Sequence, residues 1–137
     1  MWLHNITDSL QHEIANLKAG TFNILDYGAD PTGAVDATTA IRAAIAATSS
    51  TYGGKVYLPS GVYLITDSIL VSNNSTRIIG DGMSATYIYF RPTGAGKSCF
   101  VVKNGSSIIG QCAIEELRIC GNNQYSKTAI KVVNADE

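Results

Sequence analysis

The chain has 137 residues, a formal net charge of −1, 45% hydrophobic residues and 15% charged residues. These values suit one folded domain with a real core and argue against disorder. The small net charge argues against nucleic-acid binding through bulk electrostatics, and the apolar runs are too short to span a membrane. Residues 1–20 also lack the continuous apolar stretch of a signal peptide.

Residues 2–18 are predicted to form a helix that ends before Gly20. The leucines recur every seven residues and give a short heptad seam. Two interpretations are open, because an isolated helix of this length is marginal and needs a partner. The helix either packs on its own domain or forms a neck that associates across subunits. The apolar seam consists of Leu3, Ile6, Leu10, Ile14 and Leu17.

A turn-rich segment and a second helix follow. Phe22–Leu25 is predicted as a short apolar strand, and residues 26–33 are dense in turn-forming residues. Asp36 is predicted to be the N-cap of an Ala-rich helix over residues 37–47. This helix has a narrow apolar side and would therefore pack on a core through one face.

After Gly54 the pattern changes to short β-rich runs separated by Gly, Asn, Ser and Pro. No helix is predicted between these runs, so βαβ units are excluded. A solenoid of stacked parallel strands and an antiparallel sandwich remain. The predicted strands are residues 55–58, 62–65, 68–71, 77–79, 86–90, 99–102, 113–120 and 128–133.

An internal sequence repeat favours the solenoid. Arg77–Asp81 matches Arg118–Asn122 in residue type at a distance of 41 residues, and Thr86–Ile88 similarly matches Thr128–Ile130. One coil of a wide parallel β-helix would produce this spacing. Because there are only two copies, the repeat alone does not exclude the antiparallel sandwich.

Four motifs follow one another along the chain: the stretches Phe22–Gly33, Gly53–Tyr63, Ile79–Met83 and Ile114–Gly121. In order and spacing they resemble the start of the pectate-lyase-superfamily β-helix domain, which occurs in phage tailspikes and in many carbohydrate-active enzymes. The likeness covers residues 21–133. The resemblance implies an all-β fold, a right-handed single-stranded parallel β-helix (solenoid).

The resemblance also implies a domain organisation. Residues 1–20 would be a neck-like N-terminal helix, and residues 21–137 would be the N-terminal coils of the β-helix. The helix over residues 37–47 would cap the open end of the solenoid, where exposed strand edges invite aggregation. The turn residues then have structural roles, in which the acids order the turn and the glycines permit its backbone: Asp26, Asp30, Asp36, Gly28 and Gly33.

The function implied by the resemblance is that of a phage tailspike-like protein that binds and degrades bacterial surface polysaccharide. The expected partners are a capsule, lipopolysaccharide or another glycan, two further copies in a homotrimer, and other phage tail proteins. The expected location is the virion, acting at the host surface. This segment would serve mainly in fold capping, trimerisation and attachment, as the N-terminal piece of a longer protein.

Two alternatives stay open. One is a secreted or cell-associated polysaccharide lyase or glycoside hydrolase of non-viral origin, acting outside the cell. The other is a non-catalytic virion structural or adhesion protein. The lack of an export signal and the neck-like helix favour the phage interpretation over the cellular enzyme.

No catalytic residue is expected within this segment, although the full-length parent is expected to be a glycosidase or lyase. Hydrolysis needs two carboxylates that flank the bond, and eliminative lysis needs a base and a group that neutralises the uronate. Asp81, in a turn, and Glu116, pointing outward beside the inward-facing Leu117, are weak candidates that would face one groove. A ladder of solvated side chains is the alternative interpretation.

Other chemistry-like features are predicted to be structural, and no cofactor or metal is expected. Thr93–Ser98 ends like a phosphate-binding loop, but Arg91 stands where its first glycine belongs and a strand follows. His4 and His12 share a helix face with no nucleophile pattern. The cysteines fit no zinc spacing and are predicted to be buried free thiols: Cys99, Cys112 and Cys120.

Overall fold

The computed structural model describes residues 20–48, 53–103, 112–121 and 128–133. The predicted N-terminal helix over residues 2–18, with its two histidines, lies outside the described residues. The described part contains eleven strands, one α-helix and one short 3-10 helix. None of the helices in this part is long and apolar enough to cross a membrane.

The elements are short and separated by tight turns. A 3-10 helix at Ile24–Tyr27 follows the first strand. In chain order the other elements are β1 Thr21–Asn23, β2 Thr32–Asp36, α1 Thr38–Ala47, β3 Gly54–Leu58, β4 Gly61–Ile65, β5 Ile69–Val71, β6 Thr76–Gly80, β7 Thr86–Phe90, β8 Ser98–Val102, β9 Ala113–Glu115, β10 Arg118–Gly121 and β11 Thr128–Val132.

The strands form three sheets. Sheet 1 has the order β1-β3-β6-β9, sheet 2 the order β2-β4-β7-β10, and sheet 3 the order β5-β8-β11. Every pairing within the described residues is parallel. From β3 onward the chain adds one strand to sheet 1, then one to sheet 2, then one to sheet 3, and repeats this order. Each new strand from β6 onward pairs with the strand of the same sheet from the preceding coil. This is the arrangement of a parallel β-helix, and the antiparallel sandwich is wrong.

One apolar core fills the space between the sheets, because alternate side chains of each strand point inward. In β3 and β4 the buried side chains are Val56, Leu58, Tyr63 and Ile65, each fully covered. The same alternation continues in β6, β7 and β8. Burying such a side chain contributes about 1.5–3 kcal/mol, so the stacked rows supply the main stabilisation of the fold.

The helix α1 lies on one end of this core. Ile41 and Ile45 are buried and belong to the same apolar cluster as the strand residues. The helix contacts β1, β5 and the 3-10 helix, and β1 and β5 are edge strands of their sheets. The helix therefore covers the first strands of sheets 1 and 3. This is the end of the solenoid at which the sequence analysis places a cap.

The turn before this helix has the predicted organisation. Asp30 accepts hydrogen bonds from the backbone N–H of Thr32 at 2.9 Å and of Val35 at 2.9 Å. The bond from Thr32 is the main reason that the pKa of Asp30 lies below its ordinary value. Gly28 and Gly33 have φ of 89° and 76°, the left-handed region that glycine tolerates best. For Asp30, Gly28 and Gly33 the predicted structural roles are confirmed. Among the described residues no hydrogen bond involves the Asp26 side chain, so its role in the turn stays a prediction.

The predicted N-cap was wrong by one position. Ala37 is the N-cap residue, and Asp36 ends β2. Asp36 still accepts hydrogen bonds from Thr38, at 3.0 Å from the backbone nitrogen and 2.6 Å from the hydroxyl. The carboxylate thus satisfies a free amide of the first turn from one residue earlier than expected.

The first strands also differ from their prediction. The strand predicted at Phe22–Leu25 is β1 at Thr21–Asn23, and the 3-10 helix takes over from Ile24. β2 lies within and after the segment predicted as turn, and pairs with β4 from Thr32 to Asp36. Residues 32–36 do not alternate between apolar and polar side chains, so their sequence does not predict a strand. Their extended conformation goes with their pairing with β4.

The predicted strand over residues 113–120 is two strands in two different sheets. β9 belongs to sheet 1 and β10 to sheet 2. The chain turns the corner at Glu116, which has a left-handed φ of 57°. The uninterrupted β-like sequence hides this corner, because no Gly or Asn marks it.

The internal sequence repeat does not correspond to strands that stack on each other in one sheet. Its first copy is β6 in sheet 1, whereas its second copy is β10 in sheet 2. Arg77 pairs with Lys55 and Ala113, and Arg118 pairs with Tyr87. The 41-residue spacing is therefore not the length of a coil, although the solenoid that it suggested is correct in outline.

Candidate functional site

Asp81 lies at the corner between sheets 1 and 2. Its Oδ1 accepts a hydrogen bond from the Tyr57 hydroxyl at 2.7 Å. Its Oδ2 accepts bonds from the Ser60 backbone nitrogen at 2.8 Å and the Ser60 hydroxyl at 3.0 Å. The bond from Tyr57, followed by those from Ser60, holds the pKa of Asp81 below its ordinary value. This carboxylate ties the turn after β3 to the turn after β6.

Glu116 lies one coil further along the same corner. Its backbone carbonyl accepts a hydrogen bond from the Gly82 nitrogen at 2.8 Å, and its side chain is exposed. The structure therefore brings the turns of Asp81 and Glu116 together, but the contact runs through the backbone of Glu116. Neither residue is presented as a free acid beside a base. The absence of catalytic residues from this segment stays a prediction.

The loop that resembles a phosphate-binding site is part of an ion-pair cluster. Lys97 donates to Asp67 Oδ1 at 2.6 Å, and Arg42 lies 3.2 Å from Oδ2 of the same carboxylate. The bond from Lys97 is the largest of the effects that lower the pKa of Asp67 to about 2. Strand β8 begins at Ser98, so no helix N-terminus is available for a phosphate. The strand predicted to follow this loop is therefore present, and the absence of a phosphate site stays a prediction.

The cysteines are free thiols, as predicted. Cys99 is buried, and burial raises the pKa of its thiol to about 12. Cys112 and Cys120 are only half-buried, which corrects the prediction that all three are buried. Within the described ranges, no group of three or more His, Cys, Asp and Glu side chains is placed to hold a metal ion.

Sheet 2 presents aromatic and arginine side chains on its outer surface. In β7 the side chains of Thr86, Ile88 and Phe90 are buried, so Tyr87 and Tyr89 point outward. Arg118 on β10 is paired in register with Tyr87, and Arg91 directly follows β7. We call this surface the aromatic–arginine face; it consists of Tyr87, Tyr89, Arg91 and Arg118.

Each arginine of this face lies over a tyrosine ring. The Arg118 guanidinium carbon is 5.3 Å from the centroid of Tyr87, and that of Arg91 is 5.4 Å from the centroid of Tyr89. Such cation–π pairs contribute about 0.5–1 kcal/mol at exposed sites and restrain the arginine. Beside them is an open pocket of about 250 Å³ lined by Tyr89, Arg91, Cys120 and Gly121.

The basic side chains of the described residues divide into those that form an ion pair and those that form none. Arg42, Arg77 and Lys97 each form an ion pair with a carboxylate. Among the residues that the structure describes, neither Arg91 nor Arg118 does so. The face therefore offers two guanidinium groups and two aromatic rings to a ligand.

Sequence reasoning missed the aromatic–arginine face. The alternation in Thr86–Phe90 predicts that both tyrosines share one side of a strand. The partner arginine, Arg118, is far away in sequence, and its place beside Tyr87 follows only from the pairing of β10 with β7.

Three parallel sheets visited in turn, with a helix on their first strands, define a β-helix domain of the pectate-lyase type. The family described as rhamnogalacturonase A/epimerase, pectate lyase-like, matches residues 21–133. The chain belongs to this family.

Individual relatives are much longer than this chain. Alginate lyase 7 of Azotobacter vinelandii is 41% identical in an alignment over 73 residues, and the match covers 49% of this chain and 8% of that protein. ORF18 of Geobacillus virus E2 superposes with a TM-score of 0.72 at 28% identity, over 90% of this chain and 25% of that chain. The mannuronan C-5 epimerase AlgE4 A-module of Azotobacter vinelandii superposes with a TM-score of 0.67 at 23% identity, over 83% and 34%, and shares the fold.

Proposed function

We propose that the chain forms the N-terminal coils of a phage tailspike-like protein that binds and degrades bacterial surface polysaccharide. The observation that carries this proposal is the family match across residues 21–133 on a parallel β-helix. A relative named as an alginate lyase supports a glycan ligand, and a phage neighbour supports a virion location. This segment serves mainly in capping, assembly and attachment.

The proposal includes a right-handed, single-stranded solenoid. Connections between parallel strands of one sheet are right-handed in nearly all proteins. Each coil of this chain is such a connection, since the strand pairs β3 and β6, β4 and β7, and β5 and β8 each lie in the same sheet.

Binding to polysaccharide tests the proposed function directly. We expect the full-length protein to be retarded during native electrophoresis in gels that contain bacterial capsule or lipopolysaccharide, relative to gels without them. An unrelated protein of similar size and net charge serves as the control. Unchanged mobility with every polysaccharide in a broad panel would contradict the proposal.

The chain alone is expected to show no polysaccharide-degrading activity, because both oxygens of Asp81 accept hydrogen bonds from Tyr57 and Ser60. Incubation with bacterial capsules and pectins, followed by reducing-end release and the absorbance of unsaturated uronates, measures this. Clear turnover that disappears in Asp81→Ala or Glu116→Ala, but persists in the exposed control Asp26→Ala, would prove the prediction wrong.

Two alternatives remain distinct from this proposal. The sequence identity with an alginate lyase favours a secreted or cell-associated lyase or hydrolase of non-viral origin. The likeness to a phage protein also suits a non-catalytic virion or adhesion protein. Reducing-end release by the full-length protein separates the enzymes from the adhesion protein.

We further propose that the full-length protein is a homotrimer whose axis is set partly by residues 2–18. Exposed apolar side chains on the first coil support an interface there, since Leu25 and Val35 are 39% and 63% exposed. Deleting residues 1–18 should weaken assembly without unfolding the β-helix. Light scattering across a dilution series measures this. A full-length protein that is monomeric at micromolar concentration would refute the trimer, and a deletion that unfolds the domain would make the helix intramolecular.

A further inference from the structure

We infer that the aromatic–arginine face is a binding subsite for an anionic sugar unit, one that carries a carboxylate or a sulfate. The inference rests on the proposed function only in taking a polysaccharide as the ligand. It adds where on the chain the glycan binds and which chemical group is recognised. It assigns binding, and no catalytic step, to this face.

The tyrosines supply apolar surface and hydroxyl groups beside the arginines, on the part of each ring that the guanidinium leaves uncovered. Tyr87 and Tyr89 are two residues apart on one side of β7, which separates their Cα atoms by roughly 7 Å. Aromatic rings combine a flat apolar surface with a polar hydroxyl. A sugar ring has the same combination, with C–H groups on its faces and hydroxyls at its rim. Neighbouring units of one chain can therefore contact the two tyrosines.

The arginines supply the recognition of charge. A guanidinium donates two parallel hydrogen bonds to a carboxylate or a sulfate, in a geometry that a lysine cannot reproduce. Arg118 and Arg91 each lie over a tyrosine ring at 5.3 Å and 5.4 Å. Because this contact restrains the guanidinium before a ligand arrives, less conformational entropy is lost on binding.

Local charge explains why the ligand should be an anion. The protein as a whole has a formal net charge of −1, so bulk electrostatics would not attract a polyanion. The two arginines on this face have no carboxylate partner among the described residues, whereas Arg77 on sheet 1 is paired with Glu115. The two guanidinium groups therefore give this face a local positive charge, and its attraction for an anion should decrease with rising ionic strength.

The test compares three polymers of matched length: alginate, dextran sulfate and neutral dextran. Titration calorimetry of the 137-residue chain should show binding of alginate, of dextran sulfate or of both, and much weaker binding of dextran. Arg91→Gln and Arg118→Gln should each weaken binding of the anionic polymer by about tenfold, the loss of a charge-assisted hydrogen bond. Alginate binding alone identifies the carboxylate as the group recognised; dextran sulfate binding alone identifies the sulfate.

Matched variants separate recognition from folding. Arg77→Gln removes an arginine on a different sheet and should leave binding unchanged. Tyr89→Phe keeps the ring and should retain most of the binding, whereas Tyr89→Leu should lose it. Thermal unfolding of each variant shows that the domain is intact.

Two outcomes would overturn the subsite while the proposed function stands. One is polysaccharide binding that is equal in the wild type, Arg91→Gln and Arg118→Gln. The other is equal affinity for dextran and for the charged polymers. Failure of the 137-residue chain to bind any of the three polymers would also overturn the subsite, whereas only failure of the full-length protein to bind any bacterial polysaccharide would overturn the proposed function.

Discussion

Replacing Ile41 by Asp is expected to lower the free energy of unfolding by about 4 kcal/mol or more. Ile41 is fully buried between α1 and the core. Losing its apolar contacts alone costs about 2–5 kcal/mol. A carboxylate in the same place has no partner and must be protonated or drawn into water. The cap helix would then detach from the first strands of sheets 1 and 3.

The matched control is Ala43→Asp, which puts the same charge on the exposed side of the same helix. Chemical denaturation of both variants and of Ile45→Asp, monitored by circular dichroism, gives the comparison. Ile45 is 4% exposed, so Ile45→Asp should behave like Ile41→Asp. If the Ile41 and Ile45 variants were as stable as the wild type, α1 would not be a lid on the core.

Replacing Gly80 by Ala is expected to destabilise the fold by about 2–3 kcal/mol, the upper range for overpacking a dense interior. An added methyl group would overlap the carbonyl oxygen of Glu116 in the next coil and lie 2.8 Å from Cβ of Thr86. Backbone atoms cannot move aside as a flexible side chain can. The turn at the corner between sheets 1 and 2 would have to shift.

Thr86 makes this clash more damaging. Its hydroxyl accepts a hydrogen bond from the Asp81 nitrogen at 2.9 Å and donates one to the Leu58 carbonyl at 3.0 Å. Displacing it would break a buried link between consecutive coils. Gly94→Ala is the control, because an added methyl group there lies 3.9 Å from the nearest atom, Lys97 Cε. Equal thermal midpoints for the Gly80 and Gly94 variants would contradict the packing at this corner.

The strands were largely predictable from the sequence. In β3 and β7 the outward residues are polar or aromatic, so the period of two is visible without a structure. β4, β5, β6 and β8 also carry aliphatic residues outward and were predicted from their short β-rich runs. The run Thr86–Phe90 was predicted with the bounds of β7, and the run 99–102 differs from β8 by one residue. Order and type therefore follow from local patterns.

The corners and the register were not predictable in the same way. At Glu116 a non-glycine residue adopts a left-handed backbone, held by the bond that its carbonyl accepts from Gly82 in the preceding coil. Only the stacked coil favours this conformation, and a local pattern cannot show it. The repeat between Arg77–Asp81 and Arg118–Asn122 suggested a wrong coil length for the same reason, since the two similar strands lie in different sheets.

The candidate site was likewise predictable only where it depends on local sequence. Asp81 attracts notice in the sequence because acids are familiar catalytic groups, yet its oxygens are occupied by Tyr57 and Ser60. The pairing of Arg118 with Tyr87 leaves no trace in the sequence, because it depends on how many residues each coil takes to return. A site built across strands of a solenoid becomes visible only with the register.

The stacking of coils also has a consequence for how the chain folds. Arg77 and Glu115, which pair on sheet 1, are 38 residues apart, and Thr66 and Asp36 are 30 apart. No strand meets its partner until a whole coil has closed, so the entropy of loop closure is lost before any pairing compensates for it. Chains dominated by such distant contacts fold slowly. The helix α1 has only ten residues and is itself marginal without a partner, so it should become stable when the first returning coil packs against it.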